Sequence, residues 1–537
     1  MSAGLAERGR ARRVAIYDTT LRDGSQGEGV TFTTEDKLVL ARRLDRLGVH
    51  YIEGGWPHPA NVKDVDFFRR ARRLGLKNAK LVSFGSTRRA GVKAEKDEGL
   101  RALVAARTPA VAVFGKSWDL HVTEVLRTTL DENLAMVLDT VKYLKKAGRE
   151  VVYDAEHFFD GYRSNPEYAL ATVSAAEEAG ADWIVFCDTN GGMLPEDVRG
   201  ILSAVAPRLR APFGIHTHND SDCAVANAMV AVSLGASQVQ GTINGYGERC
   251  GNTNLCSVIP DLKLKMGIDC VSDAQMQELR HLSLFVSELA TKPPRDEMPF
   301  VGGSAFAHKG GVHIHAVRRE TRAYEHIAPE AVGNRRRILV SDQSGTATVT
   351  WKAETYGLKL GKNDEKTRRI LGELKRLANE GYHFEGAEAS FELLVDRLVK
   401  GTKPPFELVD FRTSVEKKGD GATVSVATLK LSVKGQVEHT VAEGDGPVNA
   451  LDRALRKALV RFYPELKSMH LSDYKVRVIN PQASTAAKVR VTIESTDGTD
   501  VWSTVGVSEN IIEASWRALA DSVAYKLMKG KGRRRGR

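Results

Sequence analysis

From Val14 to about Met266, short apolar β-branched runs alternate with stretches whose apolar residues recur every three or four positions. The runs VAIYD (14–18), HYIEG (50–54), KLVSFG (80–85) and AVAVFG (110–115) predict four strands. Four more follow in EVVYDAE (150–156), WIVFCD (183–188), FGIHTH (213–218) and SQVQGTI (237–243). Between them TEDKLVLARRLDRLG and LDENLAMVLDTVKYLKKAG read as amphipathic helices, and Pro195-Glu196-Asp197 opens another with proline and acids in its first turn. Eight such strand–helix units predict an α/β fold, a (β/α)8 TIM barrel over 14–275. A doubly wound open sheet is the alternative, but a Gly-rich dinucleotide turn after the first strand is missing.

Residues 276–404 read as a mostly helical linker with the insertion GGSAFAHKGGVHIHA (302–316). From 405 to 525 the pattern becomes strands with tight turns followed by a helix, and it occurs twice. GDGPVNALDRALRKALV begins at Gly444 and GVSENIIEASWRALADSV at Gly506, which predicts an α+β domain with an internal duplication. That domain holds no cluster of reactive side chains, so its expected role is regulation or assembly.

Length, 537 residues, calls for more than one domain, and 42% hydrophobic with 27% charged residues is an ordinary globular balance. The apolar runs are too short to span a membrane, and the first residues lack the apolar core of a secretory signal. Five cysteines without a C-x-x-C pair imply reduced thiols and a cytoplasmic location. The net charge of +10 lies in the tails. In residues 1–13 four arginines face Glu7, and 526–537 hold seven cations and no acid, so 14–525 is formally neutral. Both tails are expected to be disordered and solvated. A non-enzymatic RNA-binding protein working through these tails is the remote alternative, without an aromatic-interleaved basic patch in the body to support it.

The stretch HTHND places His216 and His218 on one side of the seventh strand, because side chains alternate faces. Taken alone, two unrelated histidines at a strand end would explain it. Barrel enzymes, however, gather their chemistry at the C-terminal ends of the strands. There this chain places Arg22 and Asp23 after strand one, Glu156 at strand five and Asp188-Thr189-Asn190 at strand six. NGYGERCGN, with Gly245, Gly247, Gly251 and Asn252, follows strand eight. Asp23 with His216 and His218 is a 2-His-1-carboxylate set suited to Mg2+, Mn2+, Zn2+ or Fe2+. Arg22 suits a developing oxyanion beside such a metal. Glu156 either orients Arg22 or acts directly as acid and base. The glycines permit close backbone approach to a ligand.

DTTLRDG, HTHND and GTINGYGERCGN together resemble the α-isopropylmalate, homocitrate and citramalate synthases, and the resemblance runs over nearly the whole chain. It implies a metal-dependent Claisen condensation of acetyl-CoA with a 2-oxo acid, on a Mg2+ or Mn2+ site with Zn2+ as an alternative. By resemblance Asn252 joins the metal site, Thr189 binds the keto acid's carboxylate, and Gly245, Gly247 and Gly251 lie by the acetyl-CoA. Also by resemblance, KGGVHIHAVRRETRAYEH supplies His313 and Tyr324 to the barrel of a partner subunit, so a homodimer is expected. EGGWPHPANVKD (53–64) and FGKSWDLHVTEVL (114–126) resemble the branch that takes pyruvate and carries a regulatory domain, for which isoleucine is the expected effector. In that stretch Trp56 is bulkier than the phenylalanine of the isopropylmalate branch and narrows the pocket toward pyruvate. The nearest alternative is 2-oxoisovalerate as substrate and leucine as effector.

Overall fold

The structure, a computed structural model, describes residues 12–534 apart from 342, 343, 362, 418, 420 and 422. The described chain divides into two compact units. One holds the residues up to Phe306 together with His326–Arg336, and the other holds Ala307–Glu325 together with those from Arg337 onward.

In the first unit, eight parallel strands close a barrel: β1 (Ala15–Asp18), β2 (Tyr51–Gly55), β3 (Lys80–Ser86), β4 (Ala110–Lys116), β5 (Glu150–Glu156), β6 (Trp183–Asp188), β7 (Phe213–Thr217) and β8 (Gln238–Gly241). β8 returns to β1 in the register Ala15↔Gln238 through Asp18↔Gly241. Around them run α1 (Thr34–Leu47), α2 (Val62–Ala71), α3 (Glu98–Ala106), α4 (Leu130–Lys146), α5 (Phe158–Ser164), α6 (Pro166–Glu178), α7 (Pro195–Val205) and α8 (Ala224–Ser233). Local chemistry starts these helices. Thr33 and Asp36 form a capping box on α1, and Asn165 caps α6 ahead of Pro166.

Strand alternation divides the core. Tyr17, Val82, Ala112, Val152 and Val185 fill the barrel interior, while Leu81, Val111, Val151 and Ile184 join the larger core shared with the helices. β7 and β8 are shorter than their patterns predict, because after Gly241 the chain turns back and Asn252 bridges to His218. The barrel unit also runs past the predicted limit at 275. α9 (Leu255–Pro260), α10 (Asp273–Met276) and α11 (Leu279–Leu289) bury Leu279, Leu282 and Val286 in the same core.

The second unit opens with β9 (Ala307–His308), α12 (Gly311–Arg319) and β10 (Arg337–Ile338), the two strands pairing in parallel. α13 (Thr346–Thr355), α14 (Glu365–Asn379) and α15 (Glu388–Lys400) share a core around Val349, Ile370 and Phe391. The duplication follows. β11 (Glu407–Lys417), β12 (Thr423–Val433) and β13 (Gln436–Gly444) form an antiparallel sheet with α16 (Pro447–Leu459), and β14 (His470–Val478), β15 (Val489–Thr496) and β16 (Val501–Ser508) repeat it with α17 (Ile511–Arg534). α16 buries Ala450, Leu451, Ala454, Leu455, Ala458 and Leu459, a stripe at helical spacing.

Two tail expectations change. Arg12 donates to Val232 O and Ala236 O, and Arg13 bridges to Asp269, so the basic stretch is anchored at its end; residues 1–11 lie outside the described residues. The 526–537 tail is helical through Arg534, with Lys526 paired to Asp497 and the Lys529 ammonium 5.1 Å from the Tyr525 ring centroid; residues 535–537 lie outside the description. No helix among the described residues is long and apolar enough to cross a membrane, and all five cysteines are free thiols.

Candidate active site

β1 delivers Arg22 and Asp23 to the rim of the barrel, and the same-face alternation of β7 delivers His216 and His218 beside them. One ligand atom from each of Asp23, His216 and His218 falls within 4.8 Å of the others. His216 Nε2 is 3.2 Å from Asp23 Oδ2 and 3.4 Å from His218 Nε2. Asn252 Nδ2 stands 2.9 Å from Asp23 Oδ2 and 3.2 Å from His216 Nε2. All four predicted metal-site residues are therefore brought together and buried.

The shell behind them fixes a tautomer. Gln240 Nε2 donates to Asp154 Oδ1 at 3.2 Å and to Gln238 Oε1 at 3.3 Å, which turns its carbonyl oxygen toward His216 Nδ1, 2.9 Å away. Nδ1 then carries the hydrogen, and Nε2 presents a lone pair to the cluster. A bare imidazole nitrogen, a second imidazole and a carboxylate gathered on one point offer a shared cation three donor atoms. Asn252 Oδ1 is buried with no partner, and an amide turned end for end puts that oxygen among the ligand atoms. This donor set fits a divalent cation. Burial works against the charge of Asp23, but the neighbouring Arg22 guanidinium holds it well below the usual carboxylate range. Burial, then the neighbouring His216, lowers His218 to about 4.

Arg22 is held on three sides. Its Nε donates to Glu53 Oε1 at 2.5 Å, its Nη1 lies 3.2 Å from Asp23 Oδ1, and its guanidinium carbon sits 3.7 Å above the Phe84 ring centroid. Glu53 in turn accepts from the Tyr17 hydroxyl at 2.6 Å. The carboxylate that orients Arg22 is therefore Glu53 of β2. Glu156 lines the same pocket and pairs with Lys116. Glu53, Asp154, Gln238 and Gln240 are the functional side chains that sequence reasoning passed over. A signal existed: each is a polar residue at an inward-facing strand position, next to an apolar one.

The pocket encloses about 680 Å3, including space open to solvent, and Thr189, Trp56 and Phe114 complete its wall. Thr189 Oγ1 accepts from His157 N–H at 2.9 Å, which leaves the hydroxyl proton for another acceptor. Trp56 stands edge-on to Phe84 and Phe114, centroids 5.8 and 5.7 Å away. The glycines of the loop after β8 serve the loop itself: a Cβ at Gly251 would strike Gly245 O, and one at Gly247 would strike the Asn252 side chain. Asp188 accepts from Met193 N–H, and Asn190 donates to Asp160. His313 and Tyr324 belong to the second unit, where their rings stack with centroids 4.2 Å apart.

Residues 13–286 match the HMGL-like family, 300–382 the homocitrate synthase post-HMGL domain-like family, and 385–527 the LeuA allosteric (dimerisation) domain. An (R)-citramalate synthase of Aquifex aeolicus is 55% identical, over 97% of this chain and 98% of its own. One of Geobacter sulfurreducens is 54% identical over 96% of this chain and 98% of its own. A probable 2-isopropylmalate synthase of Methanopyrus kandleri is 32% identical over 95% and 98%. A closed eight-stranded barrel whose rim gathers Asp23, His216 and His218, with matches to the HMGL-like family and the allosteric domain, thus places the chain in the α-isopropylmalate/homocitrate synthase family of acyl-transferring condensing enzymes.

Proposed function

We propose that the protein condenses acetyl-CoA with pyruvate, and water then cleaves the thioester to give (R)-citramalate and free CoA, a reaction that feeds isoleucine biosynthesis. The observation that carries this reading is full-length identity: relatives at 45–55% are named (R)-citramalate synthase, whereas isopropylmalate synthases stand at 30–32%. Trp56 packs edge-on to Phe84 and Phe114 in the pocket wall, and this reading assigns these rings the limit on the size of the keto acid's side chain.

A Mg2+ or Mn2+ ion held by Asp23, His216, His218 and Asn252, with Zn2+ as the alternative, would supply Lewis-acid polarisation of the keto oxygen. Arg22, fixed by Glu53 and Phe84, faces the same place and stabilises the negative charge that builds on that oxygen. Thr189, whose Oγ1 accepts from His157 N–H, donates a hydrogen bond from its hydroxyl to the keto acid's carboxylate. Glu156, its charge offset by Lys116, stands at the rim as an acid–base group. His313, stacked on Tyr324, takes the methyl proton of acetyl-CoA from the partner subunit of a homodimer. Gly245, Gly247 and Gly251 let the CoA chain approach. Isoleucine acts through residues 385–527, and the free thiols fit a cytoplasmic enzyme.

The test follows free thiol released from acetyl-CoA, with Mg2+ or Mn2+, across pyruvate, 2-oxoisovalerate and 2-oxoglutarate. Pyruvate should be preferred; preference for 2-oxoisovalerate would reassign the protein to isopropylmalate synthesis. His313→Ala should abolish thiol release while pyruvate still binds, and unchanged turnover would remove His313 from the mechanism.

A further inference from the structure

Beneath the pocket wall lies a buried ion pair that the condensation does not use. Lys37 of α1 is almost wholly buried, and its ammonium donates to Gly54 O at 3.0 Å and to Asp64 Oδ1 at 2.5 Å. Asp64 of α2 spends its other oxygen on the wall: Oδ2 accepts from Trp56 N–H at 2.9 Å and from Asn61 Nδ2 at 2.8 Å. Asn61 Nδ2 also reaches Trp56 O at 3.2 Å. Both backbone polar groups of Trp56 are thus tied to one network, anchored on two helices.

The backbone leading into Trp56 is shaped for that network. Gly55 has φ of +145°, and a Cβ there would strike the Asp64 carboxylate, while one at Gly54 would strike the Phe67 ring. The pair of glycines lets β2 end against α2 closely enough for Asp64 to grip the next residue. Trp56 then has no freedom to slide, and its ring is braced edge-on by Phe84 and Phe114.

We infer that Lys37, Asp64 and Asn61 form a clamp that holds Trp56 as a size gate for the 2-oxo acid, making them positioning residues for substrate discrimination. This rests on the reading of the pocket as a pyruvate site. A buried ion pair is expensive to desolvate and earns no stability that apolar residues of the same volume could not supply, so its retention beneath a pocket wall calls for a geometric reason. The clamp supplies one: beyond each other, Lys37 and Asp64 reach Gly54 at the end of β2, Trp56 in the loop after it and Asn61 at the cap of α2, and Asn61 closes the ring on Trp56 O.

The experiment compares kcat/KM for pyruvate, 2-oxobutanoate and 2-oxoisovalerate in the full-length enzyme and in Asp64→Asn and Asn61→Ser. Ser at 61 keeps an oxygen to cap α2 but loses both amide donors. The preference for pyruvate over 2-oxoisovalerate should fall about tenfold in Asp64→Asn, the scale on which one methylene is discriminated, and less in Asn61→Ser. A variant with lowered Tm but the original preference overturns the clamp, leaving the pair a packing feature. Loss of all turnover in a folded variant overturns it too, because the clamp is assigned to discrimination and not to bond formation. Should Asp64→Asn fail to fold, Asn61→Ser decides on the same ratio. A wild-type enzyme without preference for pyruvate refutes the functional reading instead, which the variants' ratios cannot mimic.

Discussion

At the scale of single residues, the site depends on which atom carries each proton. Gln240 is the sharpest case. Its amide is oriented by Asp154 and Gln238, and it reads out as an acceptor at His216 Nδ1. Gln240→Leu removes that acceptor without touching a ligand atom. Mn2+ affinity, measured by titration calorimetry on the purified protein, should fall about 10–100-fold, the usual consequence of losing an outer partner of a metal-bound histidine. Unchanged affinity would mean that His216 keeps its tautomer by other means. Asp154 shows why such residues stay hidden in a sequence. Burial, then the nearby Glu53, raises its pKa to about 7, yet EVVYDAE also holds Glu150 and Glu156, and only its inward-facing register sets Asp154 apart from them.

Among elements, the join between β1 and β2 carries a titrating group outside the site. His50, just ahead of β2, accepts from Ile16 N–H through Nδ1 at 3.0 Å, so it must stay neutral to keep that bond. Burial, then the charge of Arg13, lowers its pKa from 6.5 to about 4. Between those values the unfolded chain binds the proton more readily than the folded one, so this contribution to stability is complete above about pH 6.5 and is lost as pH falls toward 4. His50→Asn offers an acceptor that does not titrate. The urea midpoint of the wild type should drop more between pH 7.5 and 5 than that of the variant. Equal drops would show that His50 does not govern this window.

For the whole molecule, the second unit repeats one design twice: three antiparallel strands and a helix, with a glycine near the end of the last strand. A Cβ at Gly444 would strike Ala450 N, and one at Gly506 would strike Ala514 O, so in both copies the last strand runs hard against its helix. This region matches an allosteric domain, and feedback control needs two states that bind the effector differently. Isoleucine should raise the Tm of the full chain and inhibit thiol release. Both effects should vanish when residues after 400 are removed. Inhibition surviving in the truncated chain would move the effector site elsewhere.

The sequence by itself determined much of this protein. Eight β-branched runs at even spacing defined the barrel, because strands buried on both faces need near-continuous apolar residues. HTH marked two candidate ligands, because strand alternation puts His216 and His218 on one face, and Asp23 was marked by its place just after the first strand. The duplication was legible for the same reason, as a repeat in the order of residues. What tertiary structure alone decided are pairings between distant strands. Glu53 rather than Glu156 became the partner of Arg22, since β2 lies beside β1 and presents its carboxylate to the guanidinium. Gln240 reached His216 because β8 pairs with β7. Lys37 met Asp64 because α1 packs on α2. Each is a contact between residues remote in the chain, set by barrel closure and helix packing, to which no local pattern responds.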